Sequence, residues 1–516
     1  MGFMTGPSIL HSRRDLLLRS TAAAALWGFG SAVGLMAKRA QAQASASDVL
    51  VLGAGLAGLS AALHLQSAGA KVTVLEAAQR VGGRIHTLDA LPGRPETGGT
   101  QIGAAYVQTQ HWVRALGLTL ETNARSPLLQ DERLLLFVHG QRRSLAQWAQ
   151  APDNPLPAPL RAMTPDRALA RLLGQNPLQD IHAWRDSRHE PLDQPLRQAL
   201  EKRGLNDAAL RLLEVNNAFG DTLGQTSLLN LYYTQANVAE IVKTPGPVQN
   251  VVGGNQRLPE AMARALAQPV HLGQQAMAVS QAGRGVQVHC CELASPIRAN
   301  PGKTDSVTAG PGSTRVYRAD HVICALPLPA MQKLAFNEPA LPPLLAQAVK
   351  QAAYARVTQL HVEVLRPFWE ADGSSPYLWS DGALERVFPQ DRQGDGRPAT
   401  LTVWVNGAGT ARWDTLSDED AALLLAQEMA HIWPASRGAI RLAQRVAWHR
   451  EALAGGAWIN WAPGQITSFA AAPSRPLLQP LGRVHFAGEH TGQGLRGIEA
   501  AVASGQRAAA EILARA

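Results

Sequence analysis

The apolar residues of this chain fall into two rhythms. Asp48–Leu52 is a short apolar run, which reads as a strand. Leu56 to Ser67 repeats apolar positions at helical spacing, and Lys71 to Leu75 reads as a second strand. Strand, helix and strand in that order predict a β-α-β unit. From about 121 to 245, Leu-rich helical patterns are broken by prolines, as at Asn154-Pro155-Leu156-Pro157, and predict a mostly helical insertion. Residues 268–290 read as strands with a turn at Gly283-Arg284-Gly285, and 294–314 as a Pro/Gly/Ser/Thr-rich surface loop. Asp320–Leu326, 357–365 and 400–405 are further strands, and Ile498–Ala514 is a helix. No internal repeat is present.

Composition adds little to this picture and the N-terminus more. The 516 residues are 46% hydrophobic and 17% charged, ordinary values for a large globular core of two or three domains. The net charge is +8, of which residues 1–44 carry +4. The remaining excess is too small to argue for nucleic-acid or membrane binding, and no basic block with interleaved aromatics exists. Three cysteines, Cys290, Cys291 and Cys324, form no CxxC and read as buried strand thiols, and no metal-ligating set is read. Ser12-Arg13-Arg14-Asp15-Leu16-Leu17 is a twin-arginine pattern, followed by an apolar stretch, Thr21–Ala37, and by Ala40-Gln41-Ala42 and Ala42-Gln43-Ala44. Residues 1–44 are therefore expected to be an export signal for a protein folded before transport, with a periplasmic mature chain. The alternative is an uncleaved anchor, which the shortness of the apolar stretch disfavours against the roughly 20 residues a span needs.

The chemistry begins at Gly53-Ala54-Gly55-Leu56-Ala57-Gly58, a GxGxxG between the first strand and the first helix. The glycines permit a tight turn (Gly53), close approach to a pyrophosphate (Gly55) and helix–strand packing (Gly58). The helix N-terminus, with Leu56 and Ala57, stabilises phosphate charge. Glu76, 21 residues after Gly55, sits where a carboxylate accepts from an adenosine ribose, with Ala77 beside it. Gly82-Gly83-Arg84 then offers more backbone N–H groups and a guanidinium for the same diphosphate.

In order and spacing, these motifs resemble the FAD-dependent amine oxidase superfamily. Glu96-Thr97-Gly98-Gly99, followed by Thr100 and Gln101, resembles its next flavin-side motif. Gly253-Gly254-Asn255 through Leu258 resembles the segment returning to the cofactor domain. Phe486-Ala487-Gly488-Glu489-His490 and Gly497-Ile498-Glu499 with Ser504-Gly505 resemble its last strand and helix. The resemblance implies an α/β fold: a Rossmann-like FAD-binding domain of the amine oxidase type (45–120, 246–330 and 460–516) and a discontinuous α+β substrate domain (121–245 and 331–459). It implies non-covalent FAD, since Ala457 stands where covalently flavinylated relatives have Cys. It also implies that Glu489 binds the ribityl or phosphate region, and that the helix N-terminus at Ile498 faces the flavin N1–C2=O edge, where reduction places negative charge.

On the substrate side, Gly455-Gly456-Ala457-Trp458 resembles the segment bearing one wall of an aromatic cage, making Trp458 that wall; core packing is the other reading of this Trp. The opposite wall's position is Gly497, which implies a cage open on one side. Ten residues before Trp369 of Phe368-Trp369, where many relatives place a water-holding Lys, stands Gln359. Gln359 can hold the water without supplying the positive charge. His361, two residues on, shares its strand face and reads as a base or, with more weight, a structural histidine. Tyr106 is expected near the substrate. Gln101 stands where L-amino-acid oxidases clamp a carboxylate with Arg, which weakens that reading, with Arg356 a substitute candidate. The expected reaction is oxidation of a small-molecule amine by hydride transfer to flavin N5 and hydrolysis of the imine. Electrons then pass to O2 or to a periplasmic cytochrome or quinone. Rival readings are an L-amino-acid oxidase, a desaturase or porphyrinogen-oxidase-like enzyme, and a flavin-bound protein without turnover.

Overall fold

The computed structural model describes residues 47–122, 134–293, 313–390, 397–471 and 475–515. The twin-arginine segment, the Pro/Gly-rich stretch 294–312 and part of the expected helical insertion, 123–133, lie outside the described residues. None of the described helices is long and apolar enough to cross a membrane.

The first strand β1 (Asp48–Leu52), helix α1 (Leu56–Ser67) and β2 (Lys71–Leu75) form the β-α-β unit. Helix α2 (Val107–Ala115) and strand β3 (Leu120–Thr122) follow. The region that reads as helical contains two strands the periodicity did not predict, β4 (Leu135–Val138) and β5 (Gln141–Arg143), before helix α3 (Leu228–Lys243). They are too short to show a period of two, and their sheet membership is decided by neighbours far along the chain. Next come β6 (Gln249–Val251), α4 (Arg257–Arg264), the hairpin β7 (Gln274–Ala282) and β8 (Gly285–Glu292), β9 (Thr314–Ala319), β10 (His321–Cys324) and β11 (Ala335–Glu338). The strands β12 (Val357–Val364), β13 (Leu378–Ser380), β14 (Arg386–Gln390), β15 (Thr400–Asn406), β16 (Ile440–Ala447) and β17 (Val484–Phe486) precede the last helix, α5 (Gly497–Leu513). Cys290 and Cys324 are buried strand thiols, pushed up to about 12 by burial; Cys291 is only half-buried, on the more open face of β8.

Four parallel strands in the order β17-β10-β1-β2 make one sheet, with its parallel pairs in register from Val49 opposite His321 and Val72. Helices α1 and α5 pack on it. Their approach leaves no room for a Cβ at two glycines. A Cβ at Gly58 would lie 2.0 Å from the Gly53 carbonyl oxygen, and one at Gly505 would lie 2.1 Å from that of Ala57. Gly58 is therefore a packing residue, and the helix N-terminus is held tight against the strand ends.

The second large sheet has seven strands, β16-β12-β15-β14-β13-β4-β5. Its register sets Gln359 opposite Trp404 and His361 opposite Thr402 on β12 and β15. Behind Trp404, Glu385 is buried in the β13–β14 turn. It accepts from the Asn216 amide at 2.8 Å and the Asn406 N–H at 3.0 Å, and the Asn406 side chain accepts from the Trp404 indole at 2.9 Å. A third sheet, β11-β7-β8-β9, and the pair β3–β6 complete the molecule's described strands.

Burial raises Glu385 to about 7, against the lowering pull of its Asn406 and Asn216 donors. The unfolded carboxyl ionises first as pH rises, so the folded state holds the extra proton between the two values. This group's contribution to stability is thus expected to fall as pH rises from about 4.5 to about 7, each pH unit between the two ionisations being equivalent to about 1.4 kcal/mol. Glu385→Gln should flatten that part of the stability–pH curve; chemical unfolding of both proteins across this range checks it.

Candidate functional site

A cavity of about 270 Å³ runs from the carboxyl ends of β1 and β2 to the face of the seven-stranded sheet. Its first part is lined by Gly53, Gly55, Leu56 and Ala57 from the β1–α1 turn, with Glu76 and Ala77 after β2 and Gly82, Gly83 and Arg84 from the following loop. Gly53 adopts φ +100°, Gly82 +104° and Gly83 +56°, conformations that favour glycine, and the N–H groups of Gly53 and Gly82 pair with the Leu75 and Ala54 carbonyls, each at 2.8 Å, which fixes the two turns against each other. A Cβ at Gly55 would meet nothing within 4 Å. That space faces the cavity, as a close ligand approach requires. Glu76 is locked by the N–H groups of Ala54 at 2.7 Å and Ala78 at 2.8 Å. Burial raises its carboxyl, while those N–H groups and Arg80 oppose the rise.

Arg84 joins three distant stretches. Its Nη1 donates to the Ala457 carbonyl at 3.0 Å and to Glu489 Oε2 at 3.3 Å, and its guanidinium lies 5.8 Å from the centre of the Tyr354 ring. Glu489 in turn accepts from the Ile459 N–H at 3.1 Å. Glu489 lines the cavity, and its carboxylate is engaged there by Arg84 and the Ile459 N–H.

Gly98 and Gly99 line the wall beyond Arg84. A Cβ at Gly98 would fall 1.8 Å from the Arg84 carbonyl oxygen, and one at Gly99 would fall 2.9 Å from the Ile498 side chain. The loop therefore lies flat between the Arg84 turn and the start of α5. Glu96, at its head, accepts from Thr87 and from the Asn255 N–H, each at 2.8 Å, so the Gly253–Leu258 segment clasps it from behind. Gly497 (φ +66°) and Ile498 line the cavity where α5 begins, and a Cβ at Gly497 would meet nothing.

The substrate-side residues Trp458 and Gln359 both line the same cavity, together with Trp404 and Trp448, which the sequence did not single out. The Ala457–Trp458 backbone is held by paired hydrogen bonds with Ala355, at 3.0 and 2.9 Å. Trp448 donates its indole N–H to the Thr97 carbonyl. Trp404 faces inward because it shares the strand face of Gln359. Glu451 and Lys333 were also missed: both line the cavity, Lys333 donates to the Ala452 carbonyl at 2.8 Å, and burial raises Glu451 to about 7. No motif or spacing marks these four; they reach the cavity only through the fold.

Four of the expected residues do not line it. Gly58 packs helix on strand, as above. The Thr100 carbonyl accepts from the Asn250 amide at 2.5 Å, and Gln101 lies between it and Ile102, whose backbone pairs with Gln249. Tyr106 is the half-buried residue preceding α2, packed beside the cofactor-sheet core, where burial and Glu499 push its phenol up to about 12. Its placement near substrate is corrected. Glu499 instead caps α2, accepting from the N–H groups of Gln108 and Thr109 at 2.8 and 2.9 Å. Arg356 also lies outside the lining, held by Asp221 and Asp414, each at 3.3 Å.

The family model described as "Flavin containing amine oxidoreductase" matches residues 56–513. This chain is a flavin-containing amine oxidoreductase. It is 26% identical over 492 residues to a flavin-containing amine oxidase of Danio rerio, covering 91% of this chain and 86% of that one. It is 24% identical to an L-amino-acid oxidase of Pseudechis australis, covering 90% and 86%. Its fold matches a cyclohexylamine oxidase from Brevibacterium oxydans IH-35A (TM-score 0.70, 23% identity, 91% and 99% covered). It also matches a putrescine oxidase bound to putrescine (TM-score 0.68, 22% identity, 91% and 99%). The oxidoreductase is thus an FAD enzyme that oxidises amines, on a Rossmann-like cofactor domain with a substrate domain. The glycine cradle, the Glu76 carboxylate and the α5 N-terminus at the far wall fit that cofactor.

The cradle gives a paired prediction. Gly55→Ala fills only cavity space, so the apoprotein's unfolding temperature should hold while FAD affinity drops at least tenfold in flavin fluorescence titration. Gly58→Ala drives a Cβ into backbone and should cost about 1–3 kcal/mol of stability, read by thermal unfolding.

Proposed function

We propose that the amine this enzyme oxidises is a monoamine with an apolar or aromatic body, met by Trp458 and Gln359. The observation that carries this is the charge distribution along the cavity. Its charged lining residues are Glu76, Arg80, Arg84, Lys333, Glu451 and Glu489. Arg84 and Glu489 pair with each other, Arg80 donates to the carbonyls of Val81, Gly83 and Ile85, and Lys333 serves the Ala452 carbonyl. The part lined by Val357, Gln359, Trp404, Trp448 and Trp458 is uncharged. A substrate carboxylate would find no guanidinium there, Arg356 being engaged elsewhere, and the remaining lining carboxyl, Glu451, is raised by burial to about 7, which weakens it as a partner for a second ammonium. Burying either unpaired charge is expensive. Aromatic faces suit an apolar body and leave the amine neutral, with its lone pair free to assist loss of hydride from the adjacent carbon.

Bound FAD supplies the two-electron acceptor. The protein's part is to hold the substrate C–H in place and keep water from it, with the tryptophans as walls. The imine leaves and is hydrolysed in solution. We further propose that the flavin is held non-covalently, as Ala457 offers no thiol and no cysteine lines the cavity among the described residues. Gln359, a neutral amide, gives no cation to aid superoxide formation, which supports an acceptor other than O2. The twin-arginine segment supports export as a folded holoenzyme and a periplasmic site of action.

Anaerobic mixing with benzylamine or cyclohexylamine should bleach the flavin; putrescine and leucine should do so at least tenfold less efficiently. Faster bleaching by leucine would sink the monoamine reading. Trp458→Ala should raise the amine dissociation constant more than it lowers flavin content.

Acid precipitation should release free FAD into the supernatant. Reduced enzyme should reoxidise slowly in air and quickly with a quinone; rapid peroxide formation would refute the acceptor proposal. Replacing Arg13 and Arg14 with Lys should retain the protein in the cytoplasm.

A further inference from the structure

Arg496 stands one residue ahead of Gly497 and Ile498, which line the cavity where α5 begins. Its half-buried guanidinium is held by neutral groups. Nη1 donates to Asn230 Oδ1 at 2.9 Å and to Thr234 Oγ1 at 3.0 Å, both on α3, and Nη2 donates to the Ile459 carbonyl at 3.1 Å. The guanidinium also lies 5.0 Å from the centre of the Tyr233 ring, which is itself stacked on Trp184 at 4.3 Å. The Arg496 N–H donates to Asn237 Oδ1 at 3.0 Å, so α3 fixes the residue by its backbone and by its tip. Among the described residues no carboxylate pairs with this cation. Glu489, close enough to act on the same Tyr233 phenol, is taken by Arg84 at 3.3 Å. Burial pushes that phenol up to about 12, so it stays neutral. Ile459, whose carbonyl Arg496 takes, directly follows the lining residue Trp458. The cation therefore stands one residue behind the cavity wall on two sides, at Gly497 and at Trp458.

We propose that Arg496 is a fixed counter-charge for reduced FAD: it keeps behind the flavin wall a positive charge that the protein leaves unbalanced and reduction of the cofactor balances. The inference needs FAD in the cavity with its ring toward the start of α5. It goes beyond the amine and the acceptor proposed above and depends on neither. The glycine cradle takes the diphosphate, which leaves the ring the far, uncharged end. Hydride transfer carries two electrons and one proton from the substrate carbon to the ring, so the reduced cofactor holds one negative charge more than the oxidised one. The N-terminus of α5 offers that charge a partial positive end, and Arg496 adds a whole unit charge beside it. A carboxylate partner would cancel the field of Arg496. Neutral acceptors satisfy its donors and leave the charge in force, in surroundings that screen it less than water does. Arg496 acts through this field and touches neither cofactor nor substrate.

The test is the two-electron reduction equilibrium of purified holoenzyme against a reference dye, with no amine present. Arg496→Gln should shift it about tenfold toward oxidised FAD, equivalent to a fall of about 30 mV in midpoint potential. Arg496→Lys keeps the charge but not the planar fork, and should stay within about twofold of the wild type even where it lowers the unfolding temperature. Asn230→Asp leaves Arg496 in place and sets a carboxylate against it. It should shift the equilibrium in the same direction as Arg496→Gln, and it carries the test should Arg496→Gln fail to hold FAD. A wild-type equilibrium in Arg496→Gln or in Asn230→Asp overturns the proposal. So does an equal shift in Arg496→Lys, which would show that the shape of the side chain matters and its charge does not. Because no amine enters the measurement, failure of the monoamine reading would leave its result standing.

Discussion

The half-buried pair of Arg84 and Glu489 is the contact on which the site depends. The two lie 405 positions apart and 3.3 Å from each other, and they also tie down Ala457 and Ile459. Three loops from three parts of the chain thus meet at one ion pair. Removing either partner would leave a partly desolvated charge in the cavity wall, a larger penalty than breaking a surface pair. The pair also balances the charge of Glu489 within the cavity lining.

The rest of the architecture keeps this node in register. The parallel sheet and the glycine-mediated approach of α1 and α5 bring the phosphate-binding turn and the C-terminal helix start to the same end of the molecule, as open α/β sheets place ligands. Glu499 fixes α2 to α5, and Asn255 fixes the Glu96 loop, so the Gly98-Gly99 wall is held from both sides. The seven-stranded sheet supplies the other wall. Its register places Gln359 and Trp404 side by side, and the buried Glu385 holds the end of β15 from which Trp404 projects. One end of the cavity is therefore rich in charge and backbone donors, the other neutral and aromatic. That gradient matches a cofactor with an anionic middle and an apolar ring, and it confines polar recognition to the cofactor's half.

The sequence by itself determined the cofactor half, because its chemistry is local. GxGxxG, Glu76 and Gly82-Gly83-Arg84 each act through backbone geometry or a single carboxylate within about thirty residues, and the first two strands and first and last helices carry clear periodicity. The tertiary structure decided what depends on partners distant in sequence. It put Tyr106 and Arg356 outside the cavity lining and engaged Glu489 with Arg84. It added Trp404, Trp448, Lys333 and Glu451, which no motif marks, and it made β4 and β5 strands by pairing them into a sheet whose other members lie more than two hundred residues on. A strand's face and a side chain's partner are set by register across the sheet, and register is a property of the assembled fold.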